Sequence, residues 1–457
     1  MKLPKLPTQP ASTIATLTSA GFQCYAVGGC VRDLLMDKPT HDWDFTTNAT
    51  PDEILKLFPD NSFYENDFGT VGIKIPDTEH IEDLPAGRQE IYEITSYRTE
   101  TGYSDRRHPD EIVWGASLEE DLKRRDFTIN AIAYDGTTIV DPHNGMEDIK
   151  NKTVRAVGDP HKRFEEDALR LLRAVRIATQ LGFSIEQQTH AALKTHAALL
   201  ENVSQERIRD EFMKLMRSDN PADGIMLLKE TGILYIILPE FEEAFATEQK
   251  SPQRHHVYDV GTHLVESLRN CLSEDPIVRL ATLLHDIGKP ATFEKTAEGI
   301  TTFYNHEIIG ASIARNIASR LRLSKKDAGK LVRLVRWHQF SVTEEQTDKA
   351  VRRFIRKLGI DLIEDMLELR RADRLGGGAS ETSWRTELFK KRVIEVQKLP
   401  FTVKDLKING HDIMTLCNEG PGPHIGKILN DLFSEVEDGK LENEKEKLIE
   451  RVQALKK

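Results

Sequence analysis

The chain has 457 residues, 39% of them hydrophobic, a length that predicts three or four domains with enough apolar material for several buried cores. Sixty-three basic residues against 74 acidic ones give a formal charge of −11, which excludes a globally basic nucleic-acid binder and confines any RNA surface to a local patch. Four scattered cysteines (Cys24, Cys30, Cys271, Cys417) exclude a zinc ribbon, and no apolar leader or bilayer-length run is present, so a cytoplasmic protein without membrane contact is expected.

Tyr25 to Val27 is a short apolar run that enters a Gly28-Gly29 turn, and a helix follows with Arg32 and Asp33 in its first turns. Backbone N–H groups and one guanidinium then face the same space, a place to hold a triphosphate. Asp42-Trp43-Asp44-Phe45 alternates at the period of a strand, which puts both carboxylates on one face and buries Trp43 and Phe45 on the other. Two carboxylates beside a phosphate cradle point to a two-metal site. In this order, separated by one helix, the two motifs resemble the signature of the class II nucleotidyltransferases, the family of bacterial tRNA nucleotidyltransferases (CCA-adding enzymes) and bacterial poly(A) polymerases.

Thr50-Pro51-Asp52-Glu53 predicts a capped helix through about Phe58, and residues 68–75 and 91–98 predict two strands of one sheet. Glu93, a single glutamate in an apolar strand, is costly to bury without a partner, and the resemblance implies a third catalytic carboxylate there. Residues 77–89 are expected to be an exposed insertion with no catalytic part. Gly102 to Pro109 is a polar loop where the family has a mobile element that helps select the nucleotide. Glu119 to Ala131 begins as an acidic helix and leads through Lys123-Arg124-Arg125-Asp126 into a segment where Phe127, Ile129 and Ala131 face inward and Thr128 and Asn130 outward. Arg125 supplies bidentate donors for phosphate, and Asp126 can accept from ribose hydroxyls. Asp141 to Gly145 is the turn that closes this head, residues 1–150.

Lys150 to Arg176 is the candidate RNA patch, with eight basic residues that outnumber the acidic ones two to one. Within it, Arg163 to Ile177 carries an apolar stripe (Leu171, Leu172, Val175), while Glu166, Arg170 and Arg173 recur on another face, with Asp167 adjacent and Arg176 extending the basic row. The resemblance implies that Asp167 and Arg170 read the incoming base, with Arg173 and Arg176 in the same nucleotide site. Ser204 caps the next amphipathic helix, and Leu238-Pro239-Glu240 marks a boundary near the end of this neck and body, residues 151–245.

His255, His256, His263, His285-Asp286, His306, His338 and Asp373 gather in residues 246–375. Imidazoles and carboxylates that end apolar helices can converge on divalent or transition metals. The string His285-Asp286-Ile-Gly-Lys289 with its ordered flanking ligands resembles an HD-type metal phosphohydrolase domain, which implies a metal site made of His263, His285, Asp286, His306, His338 and Asp373. In the tail, residues 376–457, a glycine break at 376–378 is followed by Ile408 to Ile413 and Gly420 to Lys427. These place glycines at turns into helices, where free N–H groups could meet an RNA phosphate or simply cap the helix. Phe433 to Lys457 reads as a solvent-facing helix pair that packs on the body.

The expected fold class is α+β, an N-terminal mixed-sheet nucleotidyltransferase head followed by all-helical neck, body, HD and tail domains. The resemblance implies template-independent addition of CCA to the tRNA 3′ end from CTP and ATP, with Mg2+ bound by Asp42 and Asp44, Gly28, Gly29 and Arg32 holding the triphosphate, and a second divalent or transition metal in the HD segment. The alternatives are a poly(A) polymerase or an A-only or CC-only tRNA enzyme on the same fold and, from another class, an HD phosphohydrolase whose head merely binds nucleotide.

Overall fold

Alternation of apolar and polar residues along short strands builds a mixed sheet in the first part of the chain, and amphipathic helices with two short strand pairs follow it. The computed structural model describes residues 4–455 apart from 41, 67–68, 76–89, 102–110, 115–116, 250–257, 298, 340–346 and 397–402. It divides into two units, Met1–Pro239 and Glu240–Lys457, where four segments were expected. The division falls inside Leu238-Pro239-Glu240 rather than at residue 245.

The first unit opens with α1 (Thr8–Ser19), β1 (Cys24–Val27), α2 (Gly29–Leu35), β2 (Asp44–Thr47), α3 (Pro51–Leu57), β3 (Ser62–Asn66), β4 (Thr70–Lys74) and β5 (Ile91–Ser96). Then come β6 (Arg98–Thr101), β7 (Glu111–Trp114), α4 (Leu118–Lys123), β8 (Ala133–Tyr134) and β9 (Ile139–Val140). The sheet order is β3-β4-β5-β2-β1-β8-β9, with β2 and β5 parallel and the other neighbours antiparallel. Trp43 and Phe45 are buried in one core with Val71, Ile73, Tyr92 and Ile94, so the opposite face of β2 is left to Asp44. The helix expected after Thr50 forms as α3, and Thr50 and Glu53 make a reciprocal capping box at its start. The 77–89 insertion and the Gly102 to Pro109 loop lie outside the described residues.

Two local expectations fail in this unit. Phe127 to Ala131 does not alternate between two faces: Thr128–Asn130 is a single 3-10 turn, and both polar side chains are buried like their apolar neighbours. They are satisfied there, Thr128 donating to Asp148 at 2.7 Å and Asn130 bridging Arg32 and Asp126, which removes the cost of burying them. After α5 (Gly145–Lys150), the helix expected over 163–177 is two helices, α6 (Pro160–Glu166) and α7 (Leu169–Leu181). Asp167 is extended at the break, and its side chain accepts from the Leu169 N–H at the start of α7. Helices α8 (Gln187–His196), α9 (Gln205–Met216), α10 (Pro221–Glu230) and α11 (Ile233–Ile237) complete the unit.

The second unit is helical: α12 (Glu240–Ala246), α13 (Val260–Arg269), α14 (Pro276–Leu284), α15 (His306–Arg320), α16 (Lys325–Trp337), α17 (Asp348–Leu358), α18 (Ile363–Gly376) and α19 (Trp384–Val396), then α20 (Gly410–Cys417), α21 (Pro423–Glu437) and α22 (Lys445–Leu455). The expected terminal pair begins earlier, at Pro423, and packs with α20 around Ile413, Leu432, Phe433 and Leu448, a core of its own. Among the described residues no helix is long and apolar enough to cross a membrane.

Candidate active site and a buried metal-ligand cluster

Asp44 and Glu93 stand in register on the parallel pair β2 and β5, so both carboxylates leave the same face of the sheet. Glu93 is exposed there, so the burial cost that singled it out in the sequence does not arise. Asp42 lies two residues before Asp44, just ahead of the strand, and is exposed. Burial and the charge of Asp42 push the Asp44 carboxyl above its ordinary value, against the pull of Arg125. These three acidic groups offer only hard oxygen donors, the chemistry that suits a divalent cation such as Mg2+.

The Gly28-Gly29 turn borders this acidic face. Gly28 has φ +90°, a conformation that favours glycine, and a Cβ there would lie 3.4 Å from both Asp44 Oδ2 and Arg125 Nη1. Arg32 lies over Gly29, pairs with Asp33 at 2.8 Å and donates to Asn130 Oδ1 at 2.7 Å. From Asn130 a chain of polar contacts runs to α7 and α9. Asn130 donates to Asp126 at 3.2 Å, Arg173 donates two bonds to Asp126 Oδ2 at 2.9 and 2.6 Å, and Arg176 pairs with the buried Glu211 at 2.6 Å. Burial opposes the charged form of Asp126, but Arg173 and the hydrogen bonds hold its carboxyl well below the usual carboxylate range.

Partners distant in sequence hold several of these residues, and one expectation fails. Asp126 is 8% exposed: its Oδ1 accepts from the Phe127 N–H and Asn130 and its Oδ2 from Arg173, so it holds Arg173 in place. Asp167 accepts from Arg207 at 3.0 Å, and Arg170 donates to Glu166 at 2.7 Å and to the Arg124 carbonyl at 3.1 Å. The Lys150 to Arg176 patch is not one basic surface. Lys152 and Lys162 are exposed, but Arg163 is buried and Arg170, Arg173 and Arg176 turn toward carboxylates. Asp121 and Glu211, buried carboxylates that anchor arginines of this region, were missed. Their signal was the helical spacing to Arg124 and Arg125 for Asp121, and none for Glu211.

In the second unit, α13 contributes His263, the end of α14 His285 and Asp286, the start of α15 His306, the end of α16 His338, and α18 Asp373. Asp286 Oδ2 lies 3.4 Å from His263 Nε2 and 3.3 Å from His285 Nε2, while Oδ1 lies 3.0 Å from His306 Nε2 and 3.4 Å from His338 Nε2. Asp373 is 3.1 Å from His263. His255 and His256 lie outside the described residues. In His285, His306 and His338 the Nδ1 atom sits 2.7–2.8 Å from the carbonyl three residues earlier. A carbonyl only accepts, so Nδ1 carries a proton, and a ring with no second proton turns its Nε2 lone pair inward, the orientation of a metal ligand.

That arrangement places lone pairs against a carboxylate, which is repulsive unless a cation or proton lies between them. Nε2 of His306 and of His338 are buried with no hydrogen-bond partner, as a site for a metal ion requires. Burial disfavours the charged form of His285, but Asp286 and Asp373 push it up to about 10, so protons and a metal cation compete for these donors. Lys289, the last residue of the His-Asp-Ile-Gly-Lys string, donates to Asp286 and Gln249, both at 2.5 Å. A cavity of about 300 Å3 opens on the cluster, lined in part by Lys289, Tyr304, His306 and Asp373.

Gly288 explains the glycine of the His-Asp-Ile-Gly-Lys string. A Cβ there would lie 2.2 Å from the His306 carbonyl oxygen and 2.5 Å from the Gly310 nitrogen, so only glycine lets α15 approach closely enough for His306 to reach Asp286. Gly288→Ala is expected to lower stability by about 1–3 kcal/mol and to weaken metal binding, checked by thermal unfolding and titration calorimetry with Mn2+.

The chain is similar to known proteins both in sequence and in fold. Residues 24–155 match the family model "Poly A polymerase head domain", and residues 292–452 match a model of tRNA nucleotidyltransferase domain 2. The CCA-adding enzyme of Levilactobacillus brevis is 35% identical over 460 residues, covering 99% of this chain and 100% of that protein. That of Enterococcus faecalis is 33% identical, covering 98% and 97%. A crystal structure of the Bacillus stearothermophilus CCA-adding enzyme in complex with CTP superimposes with a TM-score of 0.67 at 26% identity, covering 99% of this chain and 98% of that one.

Proposed function

This chain belongs to the family of CCA-adding enzymes, and we propose that it adds C, C and A to the 3′ end of tRNA from CTP and ATP without a nucleic-acid template. One observation carries the reading: the full-length match to such enzymes coincides with carboxylates in register beside a glycine turn and a cluster of arginines. A metal-dependent nucleotidyltransferase needs that set of parts. We assign Mg2+ as the ion, held by Asp42 and Asp44 with Glu93 beside them. When bound, it lowers the pKa of the tRNA 3′-hydroxyl and neutralises charge on the leaving pyrophosphate. Gly28, Gly29, Arg32 and Arg125 receive the triphosphate, oriented so that its α-phosphate meets the acidic face.

Base choice falls to Asp167 and Arg170 at the start of α7, with Arg173 and Arg176 completing that side of the nucleotide site. Cytosine and adenine both present an amino donor beside a ring-nitrogen acceptor, and one carboxylate with one guanidinium matches that edge. A carboxylate has about four lone-pair sites, so Asp167 can keep Arg207 and the Leu169 N–H and still accept from a base. Uracil and guanine would oppose acceptor to acceptor and donor to donor, a mismatch of roughly 1–3 kcal/mol. Asp167→Ala is expected to lower kcat/KM for CTP and ATP and to narrow their advantage over UTP. Unchanged selectivity would make Asp167 only a helix cap and partner of Arg207. The remaining helices of the first unit and the 376–457 tail serve as the RNA-binding parts, and the reaction takes place in the cytoplasm, where tRNA and its nucleotides meet. At the tail, the Asn409 side chain already accepts from the His411 and Asp412 N–H groups, so the Gly422 turn, which has no side-chain cap, is the better phosphate contact.

A second reading concerns the second unit alone. The buried imidazoles around Asp286 support a metal-dependent phosphohydrolase of the HD type acting on small phosphoesters. Its metal is a transition ion such as Mn2+ or Ni2+, as the nitrogen-rich donor set favours.

A further inference from the structure

Asp121 is a carboxylate with no exposed surface, and it is bonded from three sides. Its Oδ1 accepts from Arg124 Nε at 2.9 Å and Nη2 at 2.6 Å, and its Oδ2 accepts from Thr46 at 3.2 Å and from Arg125 Nη2 at 3.4 Å. Thr46 lies two residues beyond Asp44 on β2, so Asp121 docks α4 against the strand face that carries the catalytic carboxylate. Arg125 is thereby held with Nη1 beside Gly28 and Asp44, while its buried Nε has no hydrogen-bond partner. The Arg124 carbonyl, fixed at the same helix end, accepts from Arg163 and Arg170, each at 3.1 Å.

Resting on the nucleotidyl-transfer reading above, we propose that Asp121 is a positioning residue that aims Arg125 at the triphosphate of the incoming nucleotide. It touches no substrate. Its carboxylate fixes one end of the Arg125 guanidinium and leaves the donors at Gly28 for a phosphate oxygen. An asparagine would turn N–H groups toward Thr46 or an arginine and release that hold.

The test uses the full chain and four readouts: KM for CTP and ATP, kcat, the dissociation constant of inorganic tripolyphosphate by calorimetry, and the Kd for tRNA. Asp121→Asn is expected to raise both KM values and the tripolyphosphate constant about tenfold or more, as loss of a charged hydrogen bond does, with tRNA affinity unchanged. Arg125→Ala should do the same, and the double variant should be no worse than either single one. Asp121→Glu, which keeps the charge and guards against a folding failure of the asparagine variant, should bind tripolyphosphate with intermediate affinity. A tripolyphosphate constant like that of the parent in Asp121→Glu and Asp121→Asn, or effects that multiply in the double variant, would overturn the proposal. If the parent protein added no nucleotide to tRNA yet the tripolyphosphate coupling held, the transfer reading would fail and the Asp121–Arg125 coupling would stand.

Discussion

Asp44→Ala is expected to lose nucleotide addition by about a hundredfold or more while melting close to the parent temperature, the scale typical of one electrostatic element in a transition state. Asp44 stands on the face of the sheet opposite the core, and the core beneath β2 is made by Trp43 and Phe45, which the substitution leaves alone. Removing a carboxylate that burial and Asp42 already push toward its neutral form costs the fold little. Asp42→Ala should behave alike, since Asp42 is exposed and no core residue. Steady-state incorporation of labelled CMP, run beside a thermal melt, checks both. A variant that keeps more than about a hundredth of parent turnover would exclude a direct metal role for that residue.

The second large effect is confined to the other unit. Asp286→Asn should abolish metal-stimulated release of phosphate from small phosphoesters and weaken Mn2+ or Ni2+ binding by about a hundredfold or more, because the one residue shared by both ligand groups loses its charge. Asparagine keeps the shape and avoids an empty space beside Lys289, whose ammonium would otherwise be buried without its partner. Addition of nucleotides to tRNA should continue in this variant. Hydrolysis that survives it, or its absence in the parent across phosphomonoesters and 2′,3′-cyclic nucleotides, would make the cluster a scaffold.

Much of this was legible because each motif is local. The Gly28-Gly29 turn and Asp-x-Asp strand are set by conformational freedom and by period-two alternation within twenty residues, and Thr50 with Glu53 caps a helix by contacts three residues apart. The convergence of His285, Asp286 and the flanking histidines was readable from the His-Asp-Ile-Gly-Lys string and the ordered imidazoles around it. What escaped depended on partners distant in sequence. Nothing near Asp126 announces that Arg173 will pair with it, and nothing near Asp167 announces Arg207. Thr128 and Asn130 looked outward-facing because polar residues in alternation usually are. Their inward turn depends on Asp148 and Arg32, which chain order does not bring to view. The basic row over 150–176 misled in the same way, since charge counted along a helix says nothing about which carboxylates fold over it.

The most direct test of nucleotidyl transfer is to give the purified protein tRNA lacking its 3′ end, Mg2+ and each labelled nucleotide in turn, then all four, and to sequence the products. The account predicts that CTP alone extends the tRNA by two cytidines, that ATP completes it with one adenosine after CC, and that growth stops there with UTP and GTP unused. Extension by adenosines without limit, addition of only CC or only A, or no extension at all would contradict it.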